Sequence, residues 1–269
     1  RFLAVLETLG RADTVLIAWP EAPGGAIAAL VRRIGALAPD VEIQLAPDLA
    51  GLGPARVEAR PLDGIPLLAV RPVALRRRRN RALKRAMDVG LGGLGLLALA
   101  PLLGVIALAV RADSPGPALY AQARLGRDGR VFTIFKFRTM PVDAEPDGPV
   151  WAKAGDDRAT ALGALLRRYS LDELPQLWNV LIGDMSLVGP RPERPHFVDQ
   201  FRETVPQYMD RHLARCGLTG WAQVNGLRGD VSIEERTRHD LWYVENWSLL
   251  LDLRILLDTA GEIVRRPAY

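Results

Sequence analysis

The chain has 269 residues, enough for one large domain or two modest ones, and carries 35 Lys and Arg against 31 Asp and Glu for a formal net charge of +4. A single cysteine, Cys216, excludes an internal disulfide framework and fits a reducing compartment, while His196, His212 and His239 lie too far apart for a zinc-ligand spacing. The positive charge is clustered, which suits lipid headgroups and phosphates; no helix-turn-helix, zinc or RNA-binding signature is present, so no nucleic-acid partner is expected.

The sequence opens on Arg1 rather than Met, with no signal peptide, and reads as starting inside a longer protein. Residues 1–72 read as part of an α/β domain. Residues 14–19 form a short apolar run, 25–37 have helical spacing (Ile27, Leu30, Val31, Ile34, Leu37), 41–45 alternate as a strand, and 65–70 are another apolar strand candidate. Strands alternating with a helix predict a parallel sheet of Rossmann type. Gly51-Leu52-Gly53 lacks the third glycine of a dinucleotide loop and is followed by Pro54, so it reads as an ordinary turn without a nucleotide cofactor.

Residues 73–85 form a basic linker, and an apolar run, 86–110, follows at once with one acid, Asp88, and one proline, Pro101. Basic residues directly before an apolar run, Lys84 and Arg85 among them, favour a membrane surface. A straight helix over that run would be roughly 37 Å long, enough to span a bilayer core. Two features point instead to a re-entrant helix that returns to the cytoplasmic side. Pro101 removes a backbone donor past the midpoint and should kink or break the helix. Arginines also flank both sides, with Arg111, Arg124, Arg127 and Arg130 after the run, where a span should show a one-sided bias. Asp88 near the entry is expected to snorkel or to pair with a nearby arginine such as Arg85.

Residues 111–269 carry the chemistry. Alternation over 118–137, punctuated by Gly126 and Asp128-Gly129, predicts a hairpin that delivers Lys136 and Arg138 to one end. Residues 158–180 are helical and amphipathic, and Ser170-Leu171-Asp172-Glu173 matches a capping box that would restart the helix. Gly189-Pro190-Arg191-Pro192-Glu193 must be a stiff loop. Residues 218–229 are glycine-rich and hold Arg228. A last helix over 233–264 carries an apolar stripe with Trp242 and Trp247, suited to a core or an interface.

Asp143 and Glu145 follow a turn-forming Pro141. At i and i+2 they share no helix face, so they converge only in a turn or a helix start. Two acids in a loop are ordinarily just solvated. Here Lys136 and Arg138 lie upstream, and Arg191 is held between two prolines. Fixed cations beside a carboxylate are what phosphoryl transfer needs: the cations and a Mg²⁺ neutralise phosphate oxygens, and the carboxylate attacks phosphorus to give an acyl phosphate.

Several blocks, in order, resemble the bacterial sugar transferases, the monotopic polyprenyl-phosphate phosphoglycosyl transferases. They are KRAMD at 84–88, SPGPALYAQARLGRDGRVFTIFKFRTM at 114–140, DAE at 143–145, RRYSLDELPQLWNVLIGDMSLVGPRPE at 167–193, LTGWAQVNG at 218–226 and DLWYVENWSLLLDLRILLDT at 240–259. The resemblance implies an α+β fold: a compact catalytic domain with a re-entrant membrane helix and amphipathic helices, preceded by a partial α/β Rossmann-like regulatory domain. It implies transfer of a sugar 1-phosphate from a UDP-sugar to undecaprenyl phosphate with release of UMP, dependent on Mg²⁺, on the cytoplasmic face of the bacterial inner membrane. This would be the first membrane step of exopolysaccharide or O-antigen assembly. Membrane lipids are implied partners, and a homodimer fits the larger members.

The family nucleophile is the aspartate of an acidic pair after the KFR-S/T-M block, which maps onto Asp143, also the Mg²⁺ ligand, with Glu145 as helper. Small members have the two acids adjacent, whereas here Ala144 intervenes. Lys136, Arg138, Arg191 and Arg228 are the substrate-binding candidates. Asp172, Glu173 and Asp184 also lie in family blocks, where structural pairing explains them equally well. The rival readings are a membrane-docked nucleotide-sugar scaffold without turnover and a Mg²⁺-dependent hydrolase. The sequence leaves the sugar open.

Overall fold

A computed structural model describes residues 14–17, 19, 25–37, 42–45, 55–62, 65–72, 74–145, 148, 151, 156–229 and 231–265. The fold mixes helices and strands and divides into two units, Arg1–Gly53 and Pro54–Tyr269.

In the first unit, β1 (Thr14–Ile17), α1 (Ala26–Leu37) and β2 (Glu42–Leu45) form a β-α-β arrangement. The two strands pair in parallel from Thr14 opposite Glu42 to Ile17 opposite Leu45. These are the elements expected from the apolar run, the helical spacing and the alternation. The Gly51-Leu52-Gly53 turn lies outside the described residues. The expected parallel strand at 65–70 does form, but as half of an antiparallel hairpin in the second unit: β3 (Ala55–Leu62) pairs with β4 (Ile65–Pro72). Only Asp63 and Gly64 separate them, and so short a link permits antiparallel pairing alone.

The second unit is built on α2 (Arg78–Asp113), a 36-residue helix. It is long and apolar enough to cross a membrane by length and composition. Its first turns contain most of the basic stretch expected as a linker. It is unbroken at Pro101, in contrast to the expected break. The proline removes one backbone donor, and the helix packs against the domain on both sides of it, through Leu96 and Leu99 before and Leu103 and Ile106 after.

Polar contacts fix α2 at both ends. Near the start, buried Lys84 meets Asp252 at 2.7 Å, and Asp252 also accepts from Tyr243 Oη (2.8 Å) and Trp247 Nε1 (3.0 Å). Arg85 donates to the carbonyls of Val180 and Leu181 at 2.5 Å each, and buried Asp88 accepts from Ser186 Oγ (2.9 Å) and Leu187 N (3.0 Å). The expected Asp88–Arg85 pair is therefore replaced: the arginine neutralises a helix C-terminus, and the carboxylate satisfies a strand amide that burial would otherwise orphan. At the other end, Ile106 and Val110 pack with Phe137 and Leu166. The opposite face is exposed and apolar through Leu91, Leu94, Leu97, Leu102, Val105 and Leu108.

β5 (Leu119–Leu125) and β6 (Val131–Phe137) form the expected antiparallel hairpin, with Leu119 opposite Phe137 and Tyr120 opposite Lys136. Asp128 (φ 58°) and Gly129 (φ 73°) take the left-handed conformations at its turn. Next, α3 (Ala161–Arg168) is capped by Thr160, whose Oγ1 accepts from Gly163 N at 2.9 Å. A Cβ on Gly163 would meet Thr139 O at 2.2 Å, so only glycine lets α3 sit on the end of β6.

The single helix expected over 158–180 is interrupted. Ser170 adopts φ 55° and makes no side-chain cap, a 3₁₀ turn spans Leu171–Glu173, and α4 (Gln176–Ile182) follows. The parallel pair β7 (Ser186–Val188) and β8 (Gly217–Thr219) lies in the core, with α5 (Pro195–Thr204) and α6 (Trp221–Val224) nearby in sequence. The single last helix is also two, α7 (Ile233–Asn246) and α8 (Leu249–Arg265). The break falls at Trp247-Ser248, where Ser248 Oγ accepts from Leu251 N at 3.1 Å.

Candidate active site

A cavity of about 310 Å³ opens beside the β5–β6 hairpin. Eight cationic side chains line it, among them Arg124, Lys136, Arg158, Arg167, Arg191 and Arg194, against three acids, Glu145, Asp172 and Glu193. Such an excess of fixed positive charge in a partly desolvated hollow fits a polyanion.

Lys136 stands near the end of β6, and Arg191 on the stiff loop after β7. They converge on one carboxylate. Glu173 accepts from Lys136 Nζ at 2.7 Å and takes Arg191 in a two-point clasp at 2.8 and 3.3 Å. Burial alone would raise the Glu173 pKa, but Arg191 and Lys136 outweigh it and hold the carboxyl well below its usual range. The adjacent Asp172 is buried and lines the cavity. Its pKa is raised by burial, which the nearby Lys136 partly offsets and the charge of Glu173 reinforces. The pKa values of two neighbouring carboxyls are thereby driven apart, Glu173 below the usual carboxylate range and Asp172 above it.

The loop bearing Arg191 is tied from below. Arg211, fully buried, pairs with Asp240 at 2.6 Å and donates to the Arg191 carbonyl at 2.9 Å, and Arg236 pairs with Glu193 at 2.9 Å. These contacts hold the backbone that presents Arg191.

The other sequence-derived residues separate. Asp143 is exposed and is absent from the cavity lining, although Val142, Ala144 and Glu145 belong to it. Glu145 engages Arg194 through both oxygens (3.0 and 2.9 Å), with Arg158 at 3.5 Å. Arg138 lines the cavity but directs its guanidinium at the C-terminal end of α2. It donates to Pro117 O (2.8 Å), Ser114 Oγ (2.7 Å), Pro115 O (3.0 Å), Ser114 O (2.8 Å) and Val110 O (3.4 Å). Arg228 donates to Gln223 O at 3.3 Å and is not a lining residue.

Local reading gave no site role to Arg158, Arg167 and Arg194, took Arg124 only as a flanking cation, and left the adjacent acids Asp172 and Glu173 equally to structural pairing. For the acids a signal was present: they are the one directly adjacent Asp-Glu pair in a family block. The arginines carry no local mark, because they converge from β5, the loop before α3, α3 itself and the residue before α5.

No group of three or more His, Cys, Asp or Glu able to hold a metal by itself occurs among the described residues. The donors that are present, carboxylate oxygens beside room for a phosphate, suit a hard cation that shares its shell with substrate and water.

Residues 79–266 match the family described as bacterial sugar transferase. The chain is 38% identical over 97% of its length to the Escherichia coli K12 UDP-glucose:undecaprenyl-phosphate glucose-1-phosphate transferase, covering 56% of that protein. It is 48% identical over 67% of its length to the Caulobacter vibrioides protein of the same name, covering 69% of it. It is 42% identical over 68% of its length to the Aeromonas hydrophila UDP-N-acetylgalactosamine-undecaprenyl-phosphate N-acetylgalactosaminephosphotransferase, covering 44% of it. The chain thus spans about half the length of most of these relatives. With matched blocks running from the start of α2 to the end of α8, it belongs to the bacterial sugar transferases.

Proposed function

We propose that this chain carries the catalytic unit of a membrane-associated transferase that moves a sugar 1-phosphate from a UDP-sugar to undecaprenyl phosphate and releases UMP. The carrying observation is the cavity, where a buried carboxylate lies among fixed cations that match a diphosphate in charge. The names of the relatives support the same substrate classes. Because those names include two sugars, the sugar is left to experiment.

The nucleophile of this reading is Asp172 rather than Asp143. Asp172 lines the cavity, is adjacent to its partner acid, and faces Lys136, Arg167 and Arg191, whereas Asp143 is exposed outside. In the first step an Asp172 carboxylate oxygen attacks the β-phosphorus of the donor. The bond from that phosphorus to the bridging oxygen breaks, and UMP leaves with the electron pair. In the second step a phosphate oxygen of the lipid attacks the same phosphorus, and the acyl-phosphate bond breaks to restore the carboxylate. Arg191 and Lys136, both fixed by Glu173, grip phosphate oxygens, and the ionised Glu173 holds them in register. Arg138 acts as a positioning residue that fixes α2 to the cavity floor. A Mg²⁺ would be held by Asp172 or Glu173 together with the donor phosphates, and would neutralise charge on the departing UMP.

The contacts of α2 support the re-entrant reading. Both its ends, through Lys84 and Asp88 and through Val110 and Ser114, are tied to one compact unit, so a straight passage through a bilayer would have to drag that unit across. Both flanks then lie on the cytoplasmic face. The test is UMP release with Mg²⁺ and a panel of UDP-sugars, with and without undecaprenyl phosphate. Steady UMP formation that requires the lipid supports transfer. Steady formation without lipid points to a hydrolase, and none with any sugar to a non-turning scaffold.

A further inference from the structure

The cavity is not uniform along β5. One strand supplies Leu119, Tyr120, Gln122 and Arg124 to its wall, so the lining changes from apolar to cationic over five residues, about 17 Å of strand. The apolar end lies at α2. Arg138 joins the last turn of the helix to the Pro117 carbonyl two residues before β5, and donates its own backbone N–H to Ala118 O at 2.9 Å. Val142 closes the same end. Its Cγ2 lies 3.0 Å from where a Cβ on Gly116 would stand, and Gly116 is held at φ +123°. Val142, Leu119 and Tyr120 are nevertheless 73%, 45% and 43% exposed, an unusual cost for apolar groups at the mouth of a cationic cavity. The C-terminal half of α2 also exposes apolar side chains, Val105 and Leu108 among them. The opposite end is cationic: Arg124 is partly buried, donates to Pro192 O (3.2 Å) and Gln122 Oε1 (2.6 Å), and keeps an Nε without a partner, while burial lowers its pKa to about 10.

We infer that Leu119, Tyr120 and Val142 form the entry for the acceptor lipid, with its chain lying against them and along α2 while its single phosphate reaches the cations inward. The occupant is set by complementarity: an apolar mouth tied by Arg138 to the end of a long, apolar, exposed helix, and leading into an anion site, matches an amphiphile with one anionic head and a long apolar tail. A nucleotide-sugar has no apolar tail for these side chains. The donor enters from the Arg124 end, and once UMP has left, the lipid phosphate takes the vacated face of the phosphorus, opposite Asp172. The assignment rests on the proposed transfer reaction for its kinetics, though not for its binding test.

The experiment has two arms on the full chain in nanodiscs. In the first, a diazirine-bearing polyprenyl phosphate is photolysed and the labelled peptides are mapped, which requires no turnover. In the second, the Leu119→Asn/Val142→Asn double variant is compared with wild type and with Leu119→Met/Val142→Leu. Both positions are exposed, so the polar variant should fold, and this is checked by its melting temperature. Label on residues 119–120 or 142, an approximately tenfold higher KM for undecaprenyl phosphate in the polar variant, rescue in the apolar variant, and a smaller change in the single-turnover release of UMP without lipid than in the lipid-dependent step are expected. Label confined elsewhere, or a variant that impairs both half-reactions equally, overturns the entry assignment. Label at the entry in a protein that turns over no UDP-sugar sustains the entry and removes the transfer reaction instead.

Discussion

Two acidic pairs lie 29 residues apart in this chain, and the fold treats them in opposite ways. Asp143 and Glu145 sit on a loop where one carboxylate faces solvent and the other is consumed by Arg194. Asp172 and Glu173 sit in a 3₁₀ turn at the cavity, where a strand and a loop each bring a cation to them. Nearness in sequence to Lys136 and Arg138 made the first pair look reactive. Nearness in space favours the second pair in the proposed reading, and the difference lies in where the cations point: Arg138 turns away to α2, and Lys136 turns to Glu173.

The sharpest break in that contrast is Asp172→Asn. An amide cannot form the acyl phosphate, so UMP release should fall by at least about 10³-fold, with the melting temperature retained. An active Asp172→Asn enzyme would return the nucleophile to the exposed loop. Next comes the frame that carries the second pair. Asp252→Ala leaves Lys84 buried without its counter-charge and frees two further donors, so a loss of about 3–5 kcal/mol in denaturant unfolding is expected.

Lys136→Met should reduce kcat/KM by about 10–100-fold and also move its pH profile. Asp172 must be ionised to attack, and burial raises its pKa, so activity falls as pH drops through a value above the ordinary carboxylate range. Lys136 lowers that pKa, so its removal shifts the acid limb further up; an unmoved limb would mean that another group sets it. The smallest effect belongs to the first pair: Asp143→Asn should change kcat/KM by less than about twofold, as expected of a solvated surface group.

Much of the framework was legible in the residues. Alternation with Asp128-Gly129 between its arms marked the hairpin, helical spacing marked α1, and prolines on both sides of Arg191 marked its rigid loop. What escaped was settled by partners distant in sequence. Ser170 and Glu173 have the spacing of a capping box, yet Glu173 is drawn off by cations 37 and 18 residues away, and Ser170 turns left-handed instead of capping. The last helix divides where Trp247 donates its indole N–H to Asp252, itself bound to Lys84 on α2, 168 residues before Asp252. Pro101 shows the converse: a strong local breaker is overruled where neighbouring turns are packed against the domain on either side.

The clasp of Arg138 on the final turn of α2 has a mechanical consequence. Lys84 fastens the first turns and Arg138 the last, so the helix and the cavity floor form one tied frame. If the proposed re-entrant seating holds, bilayer thickness would set the height of the cavity: a thinner leaflet would lift its mouth clear of the headgroups and a thicker one would submerge it, because both ends of the helix are fastened.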